Sequence, residues 1–303
     1  MIDFSTLPRK NKTYAGANGS KISVIYDGEQ YMLKFPPAPR KSLDMSYANS
    51  CISEYIGSHI FNIIGIKAQE TLLGKFTVND KEKIVVACKD FTSLGITLQD
   101  FASLKNQMID SAHNGYGTEL KDIIYTIENQ QAIDSKELTE HFWNLFIADA
   151  FIGNFDRHNG NWGFLYNEQT DKMSIAPVYD CGSCLYPQAS EEMISTILAS
   201  KDEIDARVFV FPTSAIQNEG KKINYFDFIS SLQNDDCNKA LKRIAPKINM
   251  EAIEQMINNI PCISELQKQF YITMLRHRKE HIIDYSFETL KKKEWAKKNK
   301  DTK

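Results

Sequence analysis

The chain has 303 residues, 42% of them apolar and 25% charged, with a formal net charge of −3. That length fits one large domain or two modest ones, and that balance fits a folded chain rather than a disordered one. The near-neutral charge excludes a global field for nucleic acid. No apolar run approaches the ~20 residues of a membrane-spanning helix, and six cysteines are too sparse for a disulfide scaffold.

The first ~90 residues read as β-rich. GANGSK (16–21) places Gly16 and Gly19 where a backbone can approach phosphates, although the Walker spacing is absent and an ordinary turn competes. KISVIY and QYMLKF alternate around Asp27–Gly28, a hairpin signal. Lys34 ends the second strand among apolar neighbours. Such a lysine can point inward and pair with a buried acid, for which Glu54 is the candidate; the competing reading is a lysine that snorkels to solvent. PPAP (36–39) breaks the strand. Ile52, Tyr55, Ile56, His59, Ile60 and Ile63 then recur at helical spacing, with Gly65 as a C-terminal cap. ETLLGKFTV and KIVVACKDF form a second hairpin around Asn79–Asp80. After Phe91 helices are expected near 98–113, 119–130 and 136–152, then a short β pair, NWGFLYN and KMSIAPVYD, around EQTD. Helices resume near 190–207, 225–244, 250–259 and 263–284. The fold class is α+β: a small β-rich part with one helix, joined near residue 90 to a larger helical part.

IGNFDRHNGNWGFLY (152–166) carries the most specific signal. Phosphoryl transfer from a nucleotide needs backbone N–H groups and a Lys for the phosphates, a carboxylate to orient the hydroxyl, and oxygen ligands for Mg2+. Asp156 and Asn161 are five apart, the spacing of the Asp and Asn in a kinase catalytic loop. Asp180, followed by Cys181–Gly182, comes nineteen residues later, where a kinase has its second metal Asp. A plain hairpin with Asn159–Gly160 at its tip is the alternative. The order Gly16 to Lys21, Lys34, Glu54, Asp156, Asn161, Asp180 favours the catalytic reading.

GNFDRHNGNW resembles the GN-x-D-x-H-x-x-N loop of the HipA-like serine/threonine kinases. YDCGSCL is similar to that family's following metal-binding segment, GANGSK to its glycine-containing loop, and SEY, with Glu54, to its small-lobe helix. NGSKIS, LKFPP, ETLLG, VVACKDF and CGSCLYPQA extend the likeness over roughly residues 14–285, most closely to the stand-alone, CtkA-type kinases. The resemblance implies a bilobed protein-kinase-like fold with ATP and Mg2+ as cofactors. It divides the chain into a small lobe (1–90), a helical large lobe (91–285) and a basic tail (286–303). It makes Asp156 the catalytic Asp and Asn161 and Asp180 the Mg2+ ligands. Lys34, braced by Glu54, would contact the α- and β-phosphates, with Gly16, Ala17, Asn18 and Gly19 beside them. Ala87 to Phe91 would be the hinge, with the backbones of Cys88 and Lys89 and residue Phe91 at the adenine. His158 and Asn154 would shape the loop, His158 at the nucleotide site.

The implied partner is a protein with a Ser or Thr acceptor; an antitoxin or a host protein stays open. Autophosphorylation would fall near the glycine loop, at Thr13, Ser20 or Ser23. HipA toxins carry a further N-terminal subdomain. The glycine loop here begins by residue 16, so the expectation is a stand-alone member or the kinase subunit of a split system. A small-molecule phosphotransferase on the same fold, or a toxin-like binding protein of a toxin–antitoxin module, are the alternatives.

The tail holds seven Lys against three acids, leaving about −7 on residues 1–285. It reads as a solvated helix end, with a nucleic-acid or membrane-surface contact as the alternative. The start MIDFSTLPRKNKTY lacks the apolar core of a secretory signal, so a cytoplasmic location with reduced thiols is expected, and non-classical secretion stays open. Cys181 and Cys184 have C-x-x-C spacing without further ligands and are read as loop packing. His59, His113, His141, His277 and His281 show no metal spacing. Phe142, Trp143 and Phe146 are assigned to the core, and RHRKEH (276–281) to the solvated face of the last helix.

Overall fold

The structure is a computed structural model that describes residues 1–14, 20–37, 48–109 and 114–300. Gly16, Ala17, Asn18 and Gly19 lie outside the described residues, as does His113.

The small lobe opens with two strands of two residues each, β1 (Ile2–Asp3) and β2 (Arg9–Lys10), which no pattern in the sequence announces. The hairpins follow as expected: β3 (Lys21–Tyr26) with β4 (Glu29–Lys34), then, after helix α1 (Ser50–Ile63), β5 (Thr71–Val78) with β6 (Lys81–Lys89). Both turns are of the primed kind that suits strand twist: Asp27 and Gly28 have φ of 50° and 78°, Asn79 and Asp80 48° and 59°. The sheet order is β1-β5-β6-β4-β3-β2, with β1 parallel to β5 and the other pairs antiparallel.

The two-residue period of the strands divides their side chains between faces. Tyr31 and Leu33 join Phe4, Val24, Phe76, Val85 and Ala87 in one buried cluster. Val86 and Cys88, from the other face, meet Cys51 of α1 together with Met32. Lys34 follows Met32 by two residues and so shares the α1 face. Gly74 in mid-β5 allows β1 to close on the sheet, since a Cβ there would lie 2.2 Å from Phe4 Cε2 and 2.6 Å from the Ile2 carbonyl oxygen. Helix α1 ends where Gly65, with φ of 81°, reverses the chain, as the sequence indicated.

Strand β7 (Ile96–Asp100) starts the large lobe and corrects the expected helix start at 98. Its ITLQD run pairs with β8 (Gly163–Asn167) from Ile96↔Asn167 to Asp100↔Gly163, and β8 pairs with β9 (Lys172–Ile175). Asp100 then caps α2 (Phe101–Met108), its Oδ1 accepting from the Ser103 N–H at 2.8 Å. Helices α3 (Leu120–Asn129) and α4 (Ser135–Ile152) follow. The expected helix 190–207 is two, α5 (Glu191–Leu198) and α6 (Lys201–Phe209), because Ser200 caps a new start. A short hairpin, β10 (Gln217–Asn218) with β11 (Lys221–Lys222), leads to α7 (Tyr225–Ser231) and α8 (Asp235–Ile244). The expected helix 225–244 is broken there by Leu232, at φ of 54°, and by the Asn234 cap. Helices α9 (Met250–Asn258) and α10 (Glu265–Arg278) complete the lobe, and α10 continues through a π-helical turn (Lys279–Asp284) into α11 (Tyr285–Lys300).

Helix α4 is the axis of the large lobe. Phe142, Trp143 and Phe146 are in its core as expected, and every residue from Leu145 to Ile152 is buried. The reading of 276–281 as a solvated face is corrected at Arg278, which is fully buried and donates to the carbonyls of Ala150 (2.8 Å) and Arg207 (2.6 Å). The tail is helical to residue 300; Ser286 and Leu290 are buried, whereas 291–299 face solvent. Among the described residues no helix is long and apolar enough to cross a membrane.

Gly74→Val should displace β1 and cost about 1–3 kcal/mol of stability, as overpacking does. Urea unfolding checks this, and an unchanged midpoint would mean that β1 contributes nothing.

Candidate active site

Helix α4 ends because Gly153 takes a left-handed φ of 63°. The loop that follows is built on a buried ion pair. Arg157 Nε lies 3.0 Å from Asp149 Oδ2, both side chains being almost wholly buried. The guanidinium also donates to the backbone oxygens of Asn161, at 2.8 Å, and Tyr179. Asn154 donates to Asp149 Oδ1 at 2.9 Å, and its own side-chain oxygen accepts from the Asp156 N–H at 3.1 Å. Asn159 donates to the carbonyls of Gly115 and Gly117 at 2.9 and 2.8 Å. The Asn159–Gly160 turn is real, closed by the Asn161 N–H on the His158 carbonyl at 2.9 Å. It brings Asn161 Nδ2 within 2.8 Å of the Asp156 carbonyl, so the side chain's acceptor, Oδ1, is the end of the amide not used in this turn.

Two further segments converge on this loop. Lys34 Nζ donates to Glu54 Oε2 at 2.9 Å and to Asp180 Oδ1 at 3.0 Å. The other oxygen of Glu54 accepts from the Cys181 N–H at 3.1 Å. Asp180 itself sits at a left-handed φ of 57°, a strained conformation of the kind that concentrates at functional sites. Ser183 Oγ stands 3.5 Å from Asp156 Oδ2.

These contacts set the charges. Burial would depress the Lys34 ammonium, but Asp180 and Glu54 beside it hold its pKa well above the usual lysine range. The same ammonium holds the Asp180 carboxyl below the usual aspartate range, against its burial. Asp156 goes the other way: burial raises it, His158 opposes, and Asp180 raises it further. Two neighbouring carboxylates are thereby driven apart, the pattern of groups with different tasks.

A cleft of about 680 Å³ separates the lobes, within the range of small-molecule sites. Lys34, Glu54, Asp156, His158, Asn161 and Asp180 line it, together with Met32, Gln69, Val86, Phe91 and Leu98. The structure therefore brings together the sequence-derived groups of both lobes. Glu54 reaches the cleft with both oxygens already engaged and acts through Lys34. Cys88 and Lys89 are not brought to the cleft. Cys88 is fully buried inside the ladder, opposite Met32 and Thr71. The Lys89 N–H donates to the Glu70 carbonyl, and its ammonium lies 3.4 Å from Glu29 and 3.6 Å from Glu70. The wall there is instead Asp90, Phe91 and Thr92, because β6 runs on to Lys89 and the connection starts after it. Thr13 lines the cleft and is exposed, Ser20 is exposed, and Ser23 is 1% exposed within the sheet.

Some of the machinery was not anticipated. Asp149 has a signal in hindsight, a single acid in the apolar run FIADAFI. Asp90 has none: it accepts from Lys12 at 2.7 Å and Tyr14 at 2.8 Å, tying the segment before the glycine loop to the connection between lobes. The C-x-x-C thiols are packing groups as read, with Cys181 buried and pushed up to about 12 by burial. Among the described residues no cluster of three or more His, Cys, Asp or Glu is placed to hold a metal unaided.

A sheet-bearing lobe with one helix over a helical lobe, a Lys–Glu pair between them and an Asp-x4-Asn loop facing a second Asp define a protein-kinase-like enzyme. The chain belongs to the family of the HipA-like C-terminal domain, whose profile matches residues 12–261. It is 51% identical over 285 residues, 93% of this chain and 86% of the other, to the serine/threonine-protein kinase CtkA of Helicobacter pylori. It superimposes on the crystal structure of a Helicobacter pylori proinflammatory kinase CtkA with a TM-score of 0.88, at 48% identity over 94% of this chain and 97% of that one. HipA of Shewanella oneidensis, solved with HipB and operator DNA, shares the fold at a TM-score of 0.55 and 14% identity, over 92% of this chain and 67% of that one.

Arg157→Met should strand the Asp149 charge in the core and cost about 3–5 kcal/mol, the penalty for breaking a buried pair. Guanidinium unfolding measures it; a loss below about 1 kcal/mol would contradict the brace described above.

Proposed function

We propose that this chain is an ATP- and Mg2+-dependent serine/threonine protein kinase that transfers a phosphoryl group directly to a protein hydroxyl. The observation that carries this reading is the single ammonium of Lys34, shared by Glu54 and Asp180 and facing Asp156 and Asn161 across the cleft. The 51% identity to a serine/threonine-protein kinase supports the acceptor class.

The residues fit the cofactors. Mg2+ relies on one or two carboxylates plus phosphate oxygens and water, and Asp180 with Asn161 Oδ1 offers that donor set. Gln69 lines the cleft and is 6% exposed. Its Nε2 donates to the Lys89 carbonyl at 2.9 Å, and its buried Oε1 has no partner among the described residues. That orphaned acceptor suits the amino group of a purine. Mg2+ and ATP, when bound, supply the phosphoryl group and the neutralisation of its charge.

The chain's own residues do the rest. Lys34, kept charged and extended by Glu54, meets phosphate oxygens. Asp156 accepts a hydrogen bond from the incoming hydroxyl, orients it and takes its proton as transfer proceeds. Asn161 is locked to the Asp156 backbone, so hydroxyl and metal positions are set by one turn. The Asp149–Arg157 brace keeps that turn from yielding. For self-modification, Thr13 and Ser20 are accessible and Ser23 is not.

Labelled ATP with Mg2+, with and without a generic protein substrate, tests the assignment. Asp156→Ala should lower transfer by about 10²–10⁴-fold, the usual contribution of a positioned general base. Label appearing only on a small amine would replace protein with small-molecule phosphotransfer, and full activity in Asp156→Ala would remove the loop from catalysis. Acidification should switch the enzyme off early. Asp156 works ionised and its folded pKa is raised, so the acid limb of kcat/KM should lie above the 3.8 of a free aspartate. A limb at or below that value would contradict the assignment of Asp156.

A further inference from the structure

Asn49 occupies the N-cap position of α1, yet its side chain makes no hydrogen bond to its own helix. Asparagine is a favoured N-cap because its side-chain oxygen satisfies one of the orphan N–H groups. Here that oxygen accepts from Gln267 Nε2 at 3.2 Å, while Nδ2 donates to the Ala189 carbonyl at 2.8 Å. The Asn49 N–H donates to the Pro187 carbonyl at 3.0 Å. All three partners belong to the large lobe. Gln267 in turn closes the capping box of α10, its Oε1 accepting from the Ser264 N–H at 3.0 Å. One side-chain amide therefore holds a large-lobe helix start and Asn49 at once.

The fastening continues along α1. Cys184 Sγ donates to the Ser53 carbonyl at 3.3 Å, and the Cys181 N–H to Glu54 Oε1 at 3.1 Å. Gly57 is pressed so close that a Cβ would lie 2.7 Å from Cys181 Cβ. Over residues 49–57, α1 is tied to the large lobe at every turn.

We infer that Asn49 and Gln267 form a latch that fixes α1 to the large lobe and thereby sets Glu54 beneath Lys34. On its other side α1 is held to the sheet, by Cys51 Sγ on the Lys34 carbonyl at 3.4 Å and Ser58 Oγ beside Thr71 Oγ1 at 2.6 Å, so the latch seats a helix that both lobes grip. Neither residue lines the cleft, so both are positioning residues that act through Glu54. The contacts are made by neutral amides and need no charged modification to form. The activity consequence rests on the kinase reading; the mechanical one does not.

Asn49→Asp and Gln267→Glu separate the latch from local helix stability. Asp caps a helix as well as Asn, and Glu serves a capping box as well as Gln. Each substitution removes the N–H donor across the lobes and leaves an acceptor of the same shape. Three quantities are measured on the full chain: melting temperature, amide hydrogen exchange over 50–57 and 181–184, and kcat/KM for transfer. The latch predicts near-wild-type melting, exchange about tenfold faster in both segments, and kcat/KM about tenfold lower. Asn49→Asp cuts the bond to the Ala189 carbonyl and Gln267→Glu the bond to Asn49, so each opens the same junction from one side. Wild-type exchange in both variants would overturn the inference, as would activity that falls only in step with melting. Should Asn49→Asp fail to fold, Gln267→Glu decides alone. A wild-type protein without transfer activity would count against the kinase reading, and exchange would still decide the latch.

Discussion

One ammonium group organises this molecule. Lys34 Nζ is held 2.9 Å from Glu54 and 3.0 Å from Asp180, on an otherwise enclosed strand end. A buried lysine without a partner would lose its charge or destabilise the fold. Two carboxylates from distant parts of the chain must therefore stay in place, and with them α1 of the small lobe and the Asp180 segment of the large one. The relation of the lobes follows from that constraint. The Glu54 bond to the Cys181 N–H adds a second tie, so that α1 reads the position of the segment carrying Asp180.

Around that charge the molecule separates rigid framework from reactive groups. Asp149, Arg157, Asn154 and Asn159 are buried and hold the loop of residues 153–161 from behind. Asp156, His158 and Asn161 face the cleft from the same few residues. Arg157 and Asn154 bond Asp149 and nearby backbone groups, and Asn159 donates to the carbonyls of Gly115 and Gly117. The cleft side chains are held more lightly, Asn161 by the Asp156 carbonyl, His158 by the Gly160 N–H and Asp156 by Ser183. Such preorganisation lets charge developing in a reaction be met by groups that need not move.

Much of this was legible in the sequence, and the failures have physical causes. The primed turns at Asp27–Gly28 and Asn79–Asp80 announced both hairpins because few residue types accept positive φ. Lys34, Glu54, Asp156, Asn161 and Asp180 could be picked out because phosphoryl transfer demands those groups in that order, and the fold brings them around one cleft. Strands β1 and β2 are too short to carry a period, and β7 runs directly into α2, so that a single apolar pattern covered both. Ser200 and Leu232 interrupt what composition presents as continuous helices. Arg278 looks solvated within RHRKEH, yet it satisfies carbonyls in the core, a fate no local pattern reveals. Cys88 and Lys89 were set at the adenine position, but β6 extends through them and commits their backbone to the sheet. The ties from Lys12 and Tyr14 to Asp90 join segments separated by the whole small lobe, and nothing in a single sequence connects them.

The proposed function turns on whether Lys34, Asp180 and Asn161 receive a metal-bound nucleoside triphosphate. Calorimetric titration with a non-hydrolysable ATP analogue, with and without Mg2+, tests it most directly. The account predicts that Mg2+ strengthens binding to the wild-type chain and that Asp180→Asn combined with Asn161→Ala abolishes this dependence while the chain stays folded. Equal affinity of the wild-type chain with and without Mg2+ would contradict it.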